Sequence, residues 1–154
     1  MRHDPAIVAA VRADEGVNAV QRIFLDGDSG GPAAFSPHRR SLGPLGIGAV
    51  RLTWPDDAEL GLAEGVEDAI AVTQLTGIPC WALLGNLRFG TVAIPESVTD
   101  LHLFVDNDAG GDTAWELGSA HFAREGRRIV KRQPRMHGYD WDDVHRKWRE
   151  RQPA

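Results

Sequence analysis

The sequence contains a single cysteine among 154 residues, which excludes an internal disulfide and a zinc site built from paired cysteines. Cys80 lies in the apolar segment 78–82, so we expect it to be a small buried strand residue. Long apolar runs are also absent, since no segment approaches the roughly 18 consecutive apolar residues of a membrane-spanning helix. The first residues lack the apolar segment of a signal peptide. We therefore expect a cytoplasmic chain.

The charged residues are distributed unevenly along a chain of ordinary globular composition. Hydrophobic residues make up 42% of the chain and charged residues 25%, as in a single folded domain. The net charge of −5 argues weakly against a protein that coats nucleic acid. Residues 1–118 carry 7 Lys/Arg against 17 Asp/Glu, whereas residues 119–154 carry 10 against 5. The basic C-terminal part is either a surface that meets phosphates or a solvated basic helix.

The apolar pattern predicts an α/β fold. Segments 17–26 and 47–52 look like strands separated by a Gly-, Ser- and Pro-rich loop, so we expect an N-terminal β-hairpin. Further elements are predicted as strands at 59–63, 78–84, 101–105 and 128–131 and helices at 66–75, 112–125 and 142–151. This alternation predicts a compact four-stranded parallel sheet flanked by helices. We expect one structural unit, with residues 1–56 as a hairpin extension packed on a core of residues 57–154.

Carboxylates directly follow two of the predicted strands. Glu64 follows the strand at 59–63, and Asp106 and Asp108 follow the strand at 101–105 before a Gly-rich turn. Ligand sites in parallel sheets gather at the carboxyl ends of the strands. Two carboxylates at spacing i, i+2 repel each other unless a cation is bound, and hard oxygen ligands suit Mg²⁺ or Mn²⁺. The alternative is a solvent-facing turn whose aspartates cap the next helix.

A third acidic group precedes the last predicted helix. Asp140 either caps this helix or faces the same strand-end crevice as a further metal ligand. Trp141 and Trp148 either stack on nucleic-acid bases or anchor the helix in the core. The candidate nucleic-acid contacts are four basic residues: Lys131, Arg146, Lys147 and Arg149.

Taken in order, these motifs resemble the Toprim domain, which is shared by bacterial primases, topoisomerases, small nucleases and recombination proteins. The family pattern is a strand ending in Glu-Gly and a later strand ending in Asp-x-Asp, both in a four-stranded parallel sheet. The similarity covers most of residues 17–145 and is greatest for the branch found in plasmid and phage-like primases and primase-helicases. The residues that carry it are Glu64, Gly65, Glu67, Ala69, Gly85, Asn86, Leu87, Asp106, Asn107, Asp108, Gly111, Gly138, Asp140, Trp141 and Asp143. One departure is Asp142, where that branch usually has Asn.

The resemblance implies Mg²⁺-dependent phosphodiester chemistry on nucleic acid, in the first place nucleotidyl transfer by the catalytic part of a mobile-element primase. It implies that Asp106 and Asp108 hold Mg²⁺ or Mn²⁺, while Glu64 shares the metal or acts as general acid/base. The implied partners are DNA or RNA, nucleotides, and the helicase or zinc-binding domains of a larger primase. Such primases usually carry a zinc-binding module and further catalytic sequence, which we do not find in this chain.

Other functions stay open at this point. A Toprim-type nuclease would use the same carboxylates to activate water. A non-catalytic DNA-binding module would need only the basic C-terminal part. A phosphatase of the haloacid dehalogenase type also presents Asp-x-Asp after an apolar strand, but it expects Thr or Val at the position of Gly110 and gives Glu64 no role.

Overall fold

The computed structural model describes residues 5–55 and 58–152. In this part the chain forms β1 (Ala6–Ala13), β2 (Gly16–Phe24), β3 (Arg39–Leu42), β4 (Val50–Arg51), β5 (Glu59–Ala63), α1 (Val66–Thr76), β6 (Cys80–Ala82), β7 (Asp100–Phe104), α2 (Ala109–His121), β8 (Arg128–Arg132) and α3 (Trp141–Glu150). A short 3₁₀ helix spans Asn86–Gly90. No helix among the described residues has the length and hydrophobicity that a bilayer crossing requires. The predicted boundary between residues 56 and 57 lies outside the described residues.

An antiparallel sheet in the order β1-β2-β3 occupies the N-terminal part. The predicted N-terminal hairpin is confirmed, but its strands differ from those predicted. β2 pairs with β1 on one side and with β3, inside the predicted loop, on the other. The segment at 47–52 does not pair with β2, because Val50 and Arg51 form β4 at the edge of the second sheet.

The second sheet has five strands in the order β4-β6-β5-β7-β8. β6, β5, β7 and β8 run parallel, which confirms the predicted four-stranded parallel sheet, and β4 adds an antiparallel edge. Ala63 at the end of β5 pairs with Phe104 at the end of β7. The segments that carry Glu64 and Asp106 therefore leave the sheet at the same edge.

Helices cover both faces of this sheet. On one face, Ala114 of α2 and the following Phe122 pack in a core cluster with Leu103 of β7. On the other face, Val72 of α1 and Val11 of β1 belong to a second cluster, and α3 packs against α1. The N-terminal sheet and α1 therefore share a face, which brings β2 and β3 close to the end of β5. Cys80 is fully buried in β6, as predicted.

The second helix is shifted from its predicted range of 112–125. It begins at Ala109 because the side chain of Asp108 caps its first turn. It ends at His121 because Arg127 folds back and donates from Nη1 to the carbonyl of Phe122 at 3.2 Å. A side chain thus binds a carbonyl that the helix leaves free at its end.

Candidate metal centre

A cavity of about 280 Å³ lies at the carboxyl ends of the parallel strands. It is lined by Gln21, Arg39, Glu64, Gly65, Asp68, Leu84, Gly85, Asp106 and Asp140. Three of the four predicted metal ligands, Glu64, Asp106 and Asp140, therefore share one pocket. Asp108 is not among the lining residues, but its charge raises the pKa of both Glu64 and Asp106.

Glu64 is fixed by the loop that follows β6. The backbone N–H groups of Leu84 and Gly85 donate to the Glu64 carbonyl at 2.8 and 3.3 Å, and the N–H of Asn86 donates to its carboxylate. Leu84 adopts a φ of 67°, a left-handed conformation that is costly for a leucine and that tends to occur at functional sites. Burial raises the pKa of Glu64, and the charge of Asp108 raises it further. The Gly85-Asn86-Leu87 motif thus positions the Glu64 carboxylate.

The surroundings of Asp106 disfavour the negative charge of its side chain. Its Oδ1 is buried and has no hydrogen-bond partner among the described residues. Burial raises its pKa to about 7, and the charges of Asp68, Glu64, Asp140 and Asp108 add to this effect. A buried polar atom without a partner is rare in native proteins and calls for an ion or a water molecule. A divalent cation would fill this role and would also offset the negative charge of the surrounding carboxylates.

Asp108 and Asp140 cap helices beside the cavity. Asp108 Oδ1 accepts a hydrogen bond from Gly111 N at 2.8 Å at the start of α2. Asp140 Oδ1 accepts one from Asp143 N at 2.7 Å at the start of α3, and burial raises the pKa of Asp140. The capping alternative is therefore correct for both residues. It does not exclude metal binding, because a carboxylate has a second oxygen and one oxygen can accept more than one contact.

Two charged residues of the cavity were not predicted from the sequence. Asp68 lies in the first turn of α1, where burial and then the charge of Asp140 raise its pKa to about 6. Its Oδ1 accepts a hydrogen bond from Asp142 N at 3.1 Å, which joins α1 to α3. Arg39 of β3 reaches the cavity from the N-terminal sheet, and its Nη2 lies 2.7 Å from Glu67 Oε1. Glu67 of the family motif therefore positions the Arg39 guanidinium beside the carboxylates.

The four predicted nucleic-acid contacts lie outside the cavity. Lys131 Nζ lies 3.1 Å from Asp112 Oδ1, and Arg146 pairs with Asp143. Lys147 Nζ lies 4.4 Å from the centre of the Tyr139 ring. Arg149 lies beside Asp142 and Glu150 in a separate surface groove. Their role in binding nucleic acid stays a prediction.

A second group of possible metal ligands lies toward the opposite, amino-terminal ends of β5 and β7. Glu59, Asp100 and His102 place one ligand atom each within 4.8 Å of the others. His102 Nε2 lies 2.9 Å from Glu59 Oε1, and its Nδ1 lies 3.2 Å from Arg132 Nε. Arg128 lies 2.5 Å from Asp100. Asp100 Oδ1 is also buried without a hydrogen-bond partner among the described residues. However, both ring nitrogens of His102 are engaged and two arginines balance the carboxylates, so this group fits a metal less well than the cavity does.

The donor set of the cavity fits a hard divalent cation. Its carboxylates follow β5 and β7 and lie at the starts of α1 and α3. Asp106 carries a buried oxygen that has no hydrogen-bond partner among the described residues. Mg²⁺ and Mn²⁺ prefer oxygen ligands of this kind. Glu64, Asp68, Asp106 and Asp140 would hold such an ion, with Asp108 at the adjacent helix start.

We expect Asp106→Asn to stabilise the metal-free protein at neutral pH. The pKa of Asp106 is about 7 in the folded protein against an ordinary value of 3.8. The folded state therefore binds the proton more tightly, and its stability falls as the pH rises from 4 to 7. The full shift corresponds to about 4 kcal/mol, which solvent screening reduces to about 1–2 kcal/mol.

Urea unfolding in EDTA at pH 5 and pH 7.5 measures this effect. The wild type should lose stability between the two values, and Asp106→Asn should lose less. Added Mg²⁺ should then stabilise the wild type at pH 7.5 more than the variant. Asp112→Asn is the control, because the Asp112 side chain is 67% exposed and lies outside the cavity. Equal stability of Asp106→Asn and the wild type at pH 7.5 would contradict the prediction.

Comparison with known proteins identifies the domain family of most of the chain. Residues 59–149 match the family model of the Toprim domain, and residues 1–52 match a family described as a domain of unknown function, DUF7146. No curated protein sequence matches the chain.

Several solved structures share the fold. A DNA primase domain from Pseudomonas aeruginosa superimposes with a TM-score of 0.65 at 18% identity, over 95% of this chain and 48% of that one. The primase fragment of the bacteriophage T7 primase-helicase protein gives 0.66 at 15% identity, over 98% and 62%. The Aquifex aeolicus primase, with its zinc-binding and RNA polymerase domains, gives 0.61 at 15% identity, over 94% and 39%. The chain thus spans about half the length of these structures.

Proposed function

Because the chain belongs to the Toprim domain family, we propose that it is the catalytic part of a primase of mobile-element type, which joins nucleotides in a Mg²⁺-dependent reaction. The observation that carries this proposal is the buried Asp106 oxygen, which has no described partner and lies in a cavity with three other carboxylates. The primase folds of the solved structures support the choice among Toprim activities.

The metal would be held by Glu64, Asp68, Asp106 and Asp140, which line the cavity, and by Asp108 at the adjacent start of α2. When bound, Mg²⁺ or Mn²⁺ neutralises the charge that builds up on phosphoryl oxygens. Glu64 has a raised pKa at the edge of this group, so it is suited either to share the metal or to accept a proton from the attacking hydroxyl. Arg39, held by Glu67, offers a guanidinium to the phosphate.

The same proposal assigns a role to each of the two parts of the chain. Residues 57–154 form the Toprim core, and residues 1–56 form an extension that supplies Arg39 to the cavity. The two family matches, which end at residue 52 and begin at residue 59, support this division. DNA or RNA, nucleotides, and the helicase or zinc-binding domains of a larger primase are the proposed partners, since the related structures are longer than this chain.

A nuclease is the second candidate, because the carboxylate cavity can activate water as readily as a hydroxyl. A DNA-binding module without turnover is the third, and it is favoured by the basic residues of α3, which lie outside the cavity. The three candidates differ in what happens to a single-stranded template.

We expect metal-dependent nucleotide joining by this chain to be weak, and removal of the metal to abolish it. The assay incubates the chain with labelled nucleotides and single-stranded template in Mg²⁺, in Mn²⁺ or in EDTA. A parallel thermal-shift titration measures metal binding independently of turnover, and Mn²⁺ should raise the melting temperature by a few degrees at pH 7.5.

The outcomes separate the candidates. Labelled oligonucleotides that appear in Mg²⁺ and disappear in EDTA support the primase. Metal-dependent shortening of the template supports the nuclease instead. Salt-sensitive template binding that EDTA does not change, without metal binding or turnover, supports the binding module and overturns the proposal.

A further inference from the structure

A second pocket lies on the other side of the segment that carries Asp140. It has a volume of about 540 Å³ and lies between α3, the end of α1 and the loop at 133–139. Leu75 and Val144 contribute apolar side chains, and Tyr139, Trp141 and Trp148 contribute aromatic rings.

The exposure of these rings suits a flat ligand. The side chain of Trp148 is 45% exposed, and its ring stacks on His145 with centroids 5.8 Å apart and planes inclined by 22°. Trp141 lies deeper and packs edge-on against Phe104 at 5.2 Å. Core anchoring therefore applies to Trp141, whereas Trp148 presents an oriented ring to the pocket. Such rings stack on nucleobases irrespective of sequence.

The charged residues that line this pocket are all cationic: Arg135, Lys147 and Arg151. Arg135 and Arg151 form no side-chain hydrogen bond or ion pair within the described ranges 5–55 and 58–152. Lys147 donates a hydrogen bond to the Tyr139 hydroxyl and has no carboxylate partner among the described residues. An apolar interior of aromatic rings with a cationic rim of this kind is complementary to a base that carries phosphates. A purely apolar peptide helix would leave the three cations without a role.

The other side of α3 has a different charge balance. Arg146 pairs with Asp143, whereas Arg149 forms no ion pair among the described residues but lines a groove with Asp142 and Glu150. The basic residues at 146–151 therefore separate into a face of mixed charge and a pocket face that carries Lys147 and Arg151. This separation could not be read from the sequence, in which all four residues form one basic run.

The pocket is joined to the acidic cavity by the backbone. Asp140 lines the cavity, while its neighbours Tyr139 and Trp141 line the pocket. Gln133 Nε2 donates to the Asp106 carbonyl at 3.0 Å, and Asn107 Nδ2 donates to the Pro134 carbonyl at 2.9 Å. The pocket wall is thus bonded to the loop of the candidate metal centre.

We propose that this pocket binds one base of a single-stranded nucleic acid, with the flanking phosphates on Arg135, Lys147 and Arg151. The inference rests on the proposed function only for the choice of nucleic acid as ligand. The pocket holds the strand beside the metal centre, so that the strand is retained while chemistry proceeds in the cavity.

The test measures the binding of a fluorescein-labelled single-stranded dodecanucleotide by anisotropy, in EDTA and at low salt. Trp148→Ala should weaken binding about tenfold because it removes a stacking surface, and Trp148→Phe should restore most of the affinity. Arg151→Ala should weaken binding about threefold to tenfold and lower the slope of log Kd against log salt by about 1. Arg124→Ala is the matched control, because it removes the same charge from an exposed arginine after α2, on the face of the sheet opposite to α3, and it should change Kd less than twofold.

Wild-type affinity in both Arg151→Ala and a folded Trp148→Ala variant would overturn the proposal, as would an equal loss in Arg124→Ala. Arg151 is exposed, so its variant is informative even where Trp148→Ala fails to fold. Asp106→Ala separates this site from the metal centre, since it should bind the oligonucleotide normally in EDTA. Loss of strand binding in Arg151→Ala without any metal-dependent turnover in the wild type would support the pocket and refute the proposed catalysis. The opposite pattern would refute the pocket alone.

Discussion

Replacing Asp106 or Asp108 with alanine is expected to lower metal-dependent activity by about 100-fold or more while the protein stays folded. The buried Asp106 oxygen has no described partner, and Asp108 raises the pKa of its neighbours, so either change removes negative charge that a divalent ion would neutralise. Loss of a metal site removes several kcal/mol of transition-state stabilisation. The measurement is initial rate in the template assay, with circular dichroism to confirm folding.

Two control variants make this result specific. Asp112→Ala removes a carboxylate from the first turn of α2, the helix that Asp108 caps. Because Asp112 pairs with Lys131 outside the cavity, activity should stay within about twofold of the wild type. Asp108→Asn keeps an oxygen that can cap α2 and alters only the charge, which separates the capping role from the metal role. Full activity in both alanine variants would show that the cavity is not the active site.

The carboxylates at the strand ends could be predicted because their signal is local. An apolar strand followed by Glu64-Gly65, and another followed by Asp106-x-Asp108, indicates which residues emerge at the sheet edge without any knowledge of long-range contacts. The parallel register of β5 and β7, with Ala63 opposite Phe104, then brings these two ends together. Helix capping and a position at the candidate metal site do not exclude each other, since Asp108 and Asp140 cap helices and lie at or beside the same cavity.

Arg39 could not be predicted because its place depends on long-range pairing. All four residues of β3 are exposed, so the strand has no alternating apolar pattern and resembles the Gly-, Ser- and Pro-rich loop around it. Only pairing with β2 brings Arg39 to the cavity. β1 was also missed. Both its buried and its exposed positions are mostly small or apolar residues, so the alternation of the strand is not visible in the sequence.

Asp68 was missed because an acidic residue in the first turn of a helix has an ordinary explanation in the helix dipole. The available signal was its spacing of four residues from Glu64 across a glycine turn. The spacing alone does not show that the turn at Gly65 brings the start of α1 against the cavity. A Cβ at Gly65 would lie 2.8 Å from Asp68 Oδ2, so the absence of a side chain there permits the approach of the two carboxylates.

Gly111→Ala is expected to destabilise the fold by about 4 kcal/mol or more, or to prevent folding. A Cβ at this position would lie 1.9 Å from the backbone oxygen of Asp106 and 2.7 Å from its carbonyl carbon. Backbone atoms cannot move aside as the end of a side chain does, so either α2 or the loop at 106–108 would have to shift. That shift would also break the hydrogen bond from Gly111 N to Asp108. The glycine of the family motif is therefore required by the close approach of α2 to the loop at 106–108.

Urea unfolding of Gly111→Ala and Gly110→Ala tests this requirement with a matched pair. A Cβ at Gly110 would meet only side-chain atoms, Asn86 Nδ2 at 3.1 Å and Asp108 Oδ1 at 3.2 Å. These can move by a few tenths of an ångström, and alanine gains up to about 1 kcal/mol over glycine inside a helix, so Gly110→Ala should be nearly neutral. A Gly111→Ala variant that unfolds at the wild-type urea concentration would show that α2 does not start against Asp106. Equal destabilisation in both variants would assign the effect to the helix start in general, because the two glycines share the first turn of α2.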